Sequence, residues 1–353
     1  MIPYNLQLFS PLVIQFFTGL FVSPLFTNSQ EPVPQITNMC DETFDNYLFL
    51  YNKTYDNVEY ENRKSIFYTN LEYIDSRNSE NLTYTLGINN FTDLTTSEFN
   101  NMYKGYNGIP PYHIPTQHFL SNVSFRSIDW RAEGLVTNIK DQAQCGSCWA
   151  FSAVATMEGT QARNTGNLTS LSEQDLVDCV PDCYGCGGGW PSSAILYVIN
   201  GTIVNNTNII YGNDTNLSMI DTESSYSYQG TDGTCVYNNT NRGANITGIV
   251  GIPKGSDALL QDALISVGPI SVAIDAEDDF QFYKSGIFTS DSCSNTQLDH
   301  AVTAVGIGMT SDGRKYYIIK NSWGTSWGED GYIYYSADIP NMCGIAQDAC
   351  YAT

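Results

Sequence analysis

Basic residues and histidines are scarce in this sequence. Its 353 residues include 15 Lys and Arg, 37 Asp and Glu and 3 His, which gives a net charge of −22. Because a nucleic-acid-binding protein needs a basic face, this balance excludes nucleic acid as an expected partner. Charged residues make up only 15% of the chain and hydrophobic residues 42%, which excludes a disordered acidic polypeptide. The composition therefore predicts a folded chain with a sizeable apolar core.

Long apolar runs are absent after Phe26, so we expect no stable membrane span there. Residues 8–26 are mostly apolar but are interrupted by prolines and polar residues, which fits a secretory signal better than a spanning helix. We predict a signal peptide over residues 1–29, and an uncut signal anchor is the alternative. The many cysteines and Asn-x-Ser/Thr sites fit the same secretory route, towards a lysosome, a vacuole or the cell exterior, for a chain that can be glycosylated.

Three zones follow the predicted signal. Residues 40–102 show apolar side chains at helical spacing, and residues 105–115 are rich in Gly and Pro and predict a linker. The last zone begins near Asp129, with helix patterns in its first half. Strand patterns follow at residues 270–274, 301–307, 316–319 and 332–335. A helical half and a sheet half predict two lobes with a cleft between them.

The segment around Cys148 is the most informative. Small residues precede Cys148, and a helix pattern begins there. A Ser170-x-x-Glu173 capping box is predicted at the start of the next helix. A thiol at a helix N-terminus faces unpaired N–H groups, which favour the nucleophilic thiolate. The alternative is that Cys148 is half of a disulfide. The zone after the linker holds an odd number of cysteines, so at least one of them stays unpaired or pairs outside it.

Histidine supplies the second observation. His113 and His118 lie in or beside the linker, so His300 is the only imidazole left for a catalytic core. It stands at the start of an apolar strand, where a buried structural histidine is the alternative. Asn321 can orient this imidazole through its amide oxygen, and Trp323 can shield the resulting hydrogen bond from water.

Together these motifs resemble the papain family of cysteine proteases, in its cathepsin L-like branch. The run Cys145-Gly-Ser-Cys148-Trp149 matches the signature of that family around its thiol. The resemblance implies an α+β, two-lobe fold, with a helical lobe, an antiparallel β-barrel-like lobe and a cleft between them. It also implies a monomeric endopeptidase, with protein substrates and neither a cofactor nor a metal. The implied catalytic residues are Cys148 as nucleophile, His300 as base and acid, Asn321 as orienting residue and Gln142 as oxyanion donor.

The zone before the linker resembles the family's propeptide. Its helix motif comprises Glu59, Arg63, Phe67, Asn70, Ile74 and Asn78, and a second motif comprises Gly87, Asn89, Phe91 and Asp93. The resemblance implies that residues 30–123 form an inhibitory propeptide that runs backwards through the cleft, and that residues 124–353 form the mature domain. Its release by acid would depend on a local carboxylate, for example Asp93.

Disulfides and a specificity pocket are also implied by the resemblance. The implied pairs are Cys145–Cys186, Cys179–Cys235 and Cys293–Cys343. We expect the remaining Cys183 and Cys350 to pair with each other, and the partner of Cys40 stays open. A zinc site at Cys179, Cys183 and Cys186 is the alternative.

The implied substrate-binding residues are the backbone of Gly188 and Gly189 and a pocket lined by Trp190, Pro191, Ala273, Leu298 and, at its floor, Asp348. An acidic floor suggests that the pocket accepts basic side chains. Two other activities stay open for the same scaffold. One is a silent homologue with a binding role, although Cys148 and His300 are both present. The other is a ligase or transpeptidase, in which an amine rather than water captures the acyl group.

Overall fold

The computed structural model describes residues 36–108, 110, 114, 118, 120–121, 124–200, 202–205, 208–211 and 219–353. The predicted signal peptide lies outside the described residues. The chain divides into two compact units, residues 1–50 and 51–353. The first contributes helix α1 (Ile36–Leu50), in which the rings of Phe44 and Tyr47 stack with centroids 5.9 Å apart. Within the described part of the chain, no helix combines the length and apolarity needed to cross a membrane.

The expected propeptide continues into the second unit. Its elements there are α2 (Asn57–Asn78), β1 (Tyr84–Leu86) and α3 (Thr96–Tyr103). Asp56 caps α2 by accepting the backbone N–H groups of Val58 and Glu59 at 3.0 and 2.9 Å. Thr95 and Glu98 form a reciprocal capping box at the start of α3. Both starts are therefore fixed by local side-chain acceptors.

Three helices build the helical lobe: α4 (Cys148–Thr165), α5 (Glu173–Cys179) and α6 (Pro191–Asn200). Helix α4 is buried along most of its length and ends at Gly166, whose φ of 73° is the left-handed conformation that glycine adopts readily. The predicted Ser170 capping box is wrong. Ser172 caps α5 instead, accepting the backbone N–H of Asp175 at 2.9 Å, because the helix begins only at Glu173.

A mixed sheet forms the second lobe. Its strands are β1, β2 (Ile128–Asp129), β5 (Ile249–Gly251), β6 (Ile270–Ile274), β7 (Tyr283–Phe288), β8 (His300–Met309), β9 (Lys315–Lys320), β10 (Tyr332–Ser336) and β11 (Ala349–Ala352). Their order is β1-β7-β10-β9-β8-β6-β11-β5, with β2 beside β8. In the described residues this path is open, so the barrel-like lobe is not closed. The β7–β10 pair is parallel and the others are antiparallel.

Two short helices, α7 (Asp257–Ser266) and α8 (Asp278–Phe282), flank the sheet, and a separate hairpin joins β3 (Thr202–Asn205) to β4 (Asn208–Tyr211). Helix α4 packs against β6, β8 and β11. The Ser152 hydroxyl donates to the carbonyl of Val302 at 2.7 Å and ties α4 to β8. This packing brings the first residue of α4, Cys148, beside the first residues of β8.

Candidate active site

Cys148 is fully buried at the first turn of α4. The backbone N–H of Ala301 donates to its sulfur at 3.5 Å, which places the thiol one residue from His300. Burial raises the pKa of the Cys148 thiol to about 12. Backbone N–H groups, including those of Ala301 and Gly105, oppose this rise. The helix start alone therefore does not ionise the thiol when the expected propeptide covers it.

His300 is held by one polar and one aromatic contact. Its Nε2 lies 2.9 Å from Oδ1 of Asn321, and its ring stacks on Trp323 with centroids 4.5 Å apart. Nδ1 is buried without a hydrogen-bond partner in the described part of the chain. Burial lowers the pKa of His300 to about 3, and the charge of Lys104 lowers it further, although the bond to Asn321 raises it. Both the imidazole and the thiol are thus neutral in this state.

Gln142, the predicted oxyanion donor, is tightly held. Its Oε1 accepts the Ser322 hydroxyl at 2.6 Å, and its Nε2 donates to the carbonyls of Cys145 and Tyr103 at 2.8 and 3.0 Å. Tyr103 belongs to the expected propeptide, so the amide already donates to a carbonyl of a second segment. The next residue, Ala143, has a φ of 52°, in the left-handed region that favours glycine. The left-handed turn therefore forms although Ala143 carries a Cβ.

The expected propeptide occupies the cleft through Gly105, Tyr106 and Asn107. Gly189 donates its N–H to the carbonyl of Gly105 at 2.9 Å, and Asn107 donates to the carbonyl of Gly189 at 3.4 Å. This bridge between Tyr106 and Gly189 is parallel. Gly188 has a φ of 106°, and a Cβ there would lie 2.8 Å from the Gly105 carbonyl oxygen. Glycine at 188 therefore permits the close approach of the bound segment.

The Tyr106 side chain fills the predicted pocket. It packs in one apolar cluster with Cys148, Trp190, Ala273, Leu298 and Ala301, with Cys183 against it. Its hydroxyl donates a hydrogen bond to Oδ2 of Asp348, which is where the sequence predicts the floor. Pro191 is not in this cluster but begins α6. The occupant Tyr106 and the wall residue Cys183 were not predicted, because no motif marks either of them.

Lys104 adds a second unpredicted contact in the cleft. Its Nζ pairs with Oδ2 of Asp299 at 2.8 Å and also donates to the carbonyl of Ala276. Asp299 directly precedes His300, so a cation of the expected propeptide acts on the imidazole. The sequence feature that could have indicated this contact is the rarity of lysine in a strongly acidic chain.

The helix motif of the expected propeptide acts through specific contacts. Arg63 binds Glu59 at 2.5 Å and forms a two-pronged pair with Glu98 at 2.7 and 2.8 Å. The Asn70 amide donates to the carbonyls of Thr92 and Leu94 at 2.8 and 2.9 Å. Asn78 exchanges two hydrogen bonds with the backbone of Leu86, at 2.9 and 2.8 Å, and Phe67 and Ile74 are buried. The motif therefore fastens α2 to the chain that follows it.

The second motif meets the sheet lobe. Gly87 donates its N–H to the carbonyl of Phe282 at 2.8 Å, and the Asn89 amide donates to the carbonyl of Gln281 at 2.7 Å. The Phe91 ring lies edge-on to Trp323 at 5.9 Å. Asp93 instead pairs within the expected propeptide, with Lys53 and with the Tyr55 hydroxyl, both at 2.6 Å.

Asp279 is the buried carboxylate that joins the two parts of the chain. It accepts hydrogen bonds from the Tyr73 hydroxyl at 2.6 Å, from Arg77 at 2.6 Å and from the Tyr84 hydroxyl at 2.5 Å. Burial raises the pKa of Asp279, but these three donors outweigh it and the pKa is lowered overall. No motif includes the three donors, so sequence reasoning missed this contact.

Among the residues that the structure describes, three disulfides are formed: Cys145–Cys186, Cys179–Cys235 and Cys293–Cys343. They are the pairs that the resemblance implies. The expected Cys183–Cys350 pair is wrong, since both thiols are free. Cys350 is fixed inside β11 between β5 and β6, whereas Cys183 packs beside Trp190 at the pocket. The zinc alternative also fails, because Cys179 and Cys186 are already bonded to other cysteines.

Comparison with known proteins identifies the class of this chain. The family model "Papain family cysteine protease" matches residues 125–353, and the model "Cathepsin propeptide inhibitor domain (I29)" matches residues 44–99. The chain therefore belongs to the papain family of cysteine proteases, and it is the zymogen of a cysteine endopeptidase in the cathepsin L-like branch.

Individual relatives agree with this membership. Digestive cysteine proteinase 1 of Homarus americanus is 46% identical over 300 residues, covering 82% of this chain and 88% of that protein. Cathepsin L of Sarcophaga peregrina is 37% identical over 341 residues, covering 90% and 94%. Such relatives support a route through the secretory pathway.

Solved precursor structures are similar to the whole arrangement. Digestive procathepsin L 3 of the Tenebrio molitor larval midgut has a TM-score of 0.78 and 34% identity, and covers 89% of this chain and 99% of that one. The recombinant stem bromelain precursor has a TM-score of 0.78 and 39% identity, with the same coverage. Both are precursors, which is the state described for this chain.

Proposed function

We propose that the mature enzyme hydrolyses peptide bonds through an acyl-thioester, with Cys148 as the nucleophile and His300 as the base and acid. The sulfur attacks the scissile carbonyl, and the protonated imidazole gives its proton to the departing amine as the C–N bond breaks. Water then gives a proton to His300 and attacks the thioester, and the sulfur leaves with the C–S bond broken. Each proton taken is returned, so the enzyme is restored.

Two further residues would serve this chemistry. Asn321 would hold Nε2 of His300, which leaves Nδ1 to exchange the proton with the sulfur; the 2.9 Å bond supports this role. Gln142 would donate its amide to the oxyanion beside the backbone N–H of Cys148. Its present bond to the carbonyl of Tyr103 supports this role, since the acceptor is a carbonyl oxygen of a bound segment.

The observation that carries the proposal is the seating of Tyr106. A polypeptide segment already makes main-chain bonds to Gly189 and inserts a side chain into the pocket above Asp348. We assign that pocket to the second residue before the scissile bond, with Trp190, Ala273 and Leu298 as its walls. Substrate would bind there in the opposite chain direction and add an antiparallel strand.

The zymogen would have a signal peptide over residues 1–29, a propeptide over 30–123 and a mature domain over 124–353. Acid would release the propeptide in a lysosomal, vacuolar or extracellular setting, and this release would depend on carboxylates between the propeptide and the mature domain. Asp279 supports it, because its pKa is lowered by its bonds to propeptide donors.

The test is to acidify the purified full chain in the presence of a reductant and follow cleavage of a fluorogenic peptide. We expect activity to appear as the propeptide is lost, and Cys148→Ala to stay silent under the same conditions. Adding an amine acceptor separates hydrolysis from transfer. If the main product is the amide formed with the added amine, and not the carboxylic acid, the enzyme is a transpeptidase and not a hydrolase.

A further inference from the structure

A second cavity lies within the mature domain. It has a volume of about 540 Å³, in the range of sites that hold small ligands. Its apolar wall includes Phe151 and Leu168, and its polar wall includes Glu173, Glu223 and Lys140. None of its lining residues belongs to the substrate pocket described above.

Backbone pairing brings the two glutamates to this cavity. Glu223 donates its N–H to the carbonyl of Ser170 at 2.9 Å, and Ser172 donates to the carbonyl of Asp221 at 3.0 Å. These bonds hold the start of α5 antiparallel to the segment that carries Glu223. The first residue of α5, Glu173, therefore lies near Glu223.

Each glutamate has one oxygen in use and one without a partner. Glu173 is only 1% exposed; its Oε1 pairs with Lys140 at 2.8 Å, and its Oε2 is buried with no hydrogen-bond partner in the described residues. Glu223 accepts the backbone N–H of Tyr228 at 3.0 Å through Oε1, and its Oε2 is likewise buried and unpartnered there. Buried polar atoms normally have partners, so two such oxygens at one cavity point to a ligand that supplies hydrogen-bond donors or positive charge.

Charge around the cavity leads to the same conclusion. Lys140 also pairs with Glu158 at 3.1 Å, so its single charge is shared between two buried carboxylates. The other nearby ammonium, Lys320, donates to the Thr137 hydroxyl, and Asp141 adds a further acid to the cavity wall. Burial raises the pKa of Glu173 to about 8, and the charges of Glu158 and Glu223 add to the rise while Lys140 opposes it.

We propose that this cavity is a cation site, in which Oε2 of Glu173 and Oε2 of Glu223 together hold a positively charged ligand. Carboxylate oxygens suit a hard divalent cation such as Ca²⁺, but Ca²⁺ takes roughly six to eight oxygen ligands, and in the described residues no group of three or more acidic, cysteine or histidine side chains is arranged to hold a metal ion. An organic ammonium carries a single positive charge and N–H donors, and its apolar part would contact Phe151 and Leu168. The shared chemistry is one positive group between the two carboxylates.

The experiment uses the full chain carrying Cys148→Ala, so that neither self-cleavage nor the proposed catalytic function affects the result. Thermal unfolding is recorded at about pH 8, close to the raised pKa of Glu173, and at constant ionic strength. One arm adds Ca²⁺ and a second adds benzylammonium. Benzyltrimethylammonium, which lacks N–H donors, and neutral benzyl alcohol are the ligand controls.

We expect Tm to rise with the logarithm of the concentration of one of the two cations, with one site per chain by calorimetry. Glu223→Gln, on the half-buried side of the site, should abolish the shift, and Glu173→Gln should do the same if it folds. Glu133→Gln removes an exposed charge elsewhere, and the Tm shift should persist in this variant. The arm that responds identifies the ligand as metal or ammonium. The absence of a shift in both arms, or a shift that survives Glu223→Gln, overturns the proposal.

Discussion

The hydroxyl of Tyr106 donates a hydrogen bond to the carboxylate of Asp348 at the floor of the pocket in the cleft. Tyr106 follows the matched propeptide model (residues 44–99) and Asp348 lies in the matched protease model (residues 125–353), so in the proposed zymogen this bond would join inhibitor to enzyme. Burial, and then the charge of Asp348, raises the pKa of the Tyr106 phenol, which keeps the hydroxyl protonated as a donor. We propose that this bond contributes to inhibition and that Asp348 contributes to specificity.

Tyr106→Phe should loosen the propeptide without emptying the pocket. The ring stays, but Asp348 loses its donor, and hydrogen bonds to charged groups contribute about 1.5–3 kcal/mol. We expect the open fraction of the zymogen to rise by roughly 10- to 100-fold, measured as the rate of Cys148 alkylation in the proform at neutral pH. The same substitution in an Asp348→Ala background should have little effect. An equal effect in both backgrounds would show that the bond is not the cause.

Asp348→Ala should change which substrates the mature enzyme prefers. Peptides with Arg, Tyr or Phe at the second position before the cut would be compared by kcat/KM. We expect a loss of roughly 10-fold or more for Arg, in line with a buried charge pair, a smaller loss for Tyr, and little change for Phe. Equal losses for Arg and Phe would refute a direct role for the carboxylate.

Local motifs predicted the parts of the molecule that depend on local chemistry. The thiol run, the His300 and Asn321 positions and the interior strands lie where periodicity and residue type place them, and β6 (Ile270–Ile274) has the bounds that the pattern predicts. The cap of α5 moved to Ser172, because two serines offer the same signal and only the observed helix start decides between them.

Contacts between distant parts of the sequence were not predictable in the same way. Asp279 meets Arg77, and Tyr106 meets Asp348, only because the chain folds back on itself over a long separation. The predicted pairing of Cys183 with Cys350 was wrong for the same reason, since a count of the remaining thiols does not indicate their positions in the fold.

Asp279→Asn should weaken the propeptide and flatten its response to acid. A carboxyl whose pKa is lowered on binding contributes affinity above its ordinary value near ~4, and this contribution is lost as the pH falls through the lowered value. We therefore expect the processing rate of the wild type to rise steeply below about pH 4. The variant should be faster at higher pH and rise less on acidification. Processing would be followed by gel from pH ~3 to ~6.

The exposed neighbour Asp278 provides the matched control for that experiment. Asp278→Asn removes the same charge from α8 but leaves the hydrogen bonds from Tyr73, Arg77 and Tyr84 to Asp279 in place. Its pH profile should follow that of the wild type. If both variants shift the profile equally, the response belongs to overall charge and not to the Asp279 contact.

Gln142→Ala should lower kcat more than it changes KM in the mature enzyme. Loss of one oxyanion donor typically costs about 2.7–4 kcal/mol, or roughly 10²–10³ in kcat. Because Oε1 of Gln142 also accepts the Ser322 hydroxyl, Tm must be measured alongside, and Ser322→Ala separates the structural bond from the catalytic one. A rise in KM with unchanged kcat would show that Gln142 does not stabilise the oxyanion.

Ionisation of Cys148 provides the most direct test of the central claim, that the active thiol–imidazole pair forms only when the propeptide leaves. In the zymogen, burial raises the pKa of Cys148 to about 12 and lowers that of His300 to about 3. The measurement is the rate of Cys148 alkylation by iodoacetamide against pH, read from the mass of its peptide, in the zymogen, the mature enzyme and mature His300→Ala. We predict an unreactive zymogen and a mature enzyme that reacts rapidly well below pH ~7, with His300→Ala shifting its midpoint towards that of a free thiol near ~8.5. A mature profile that already follows the free thiol, or that His300→Ala leaves unchanged, would contradict the account.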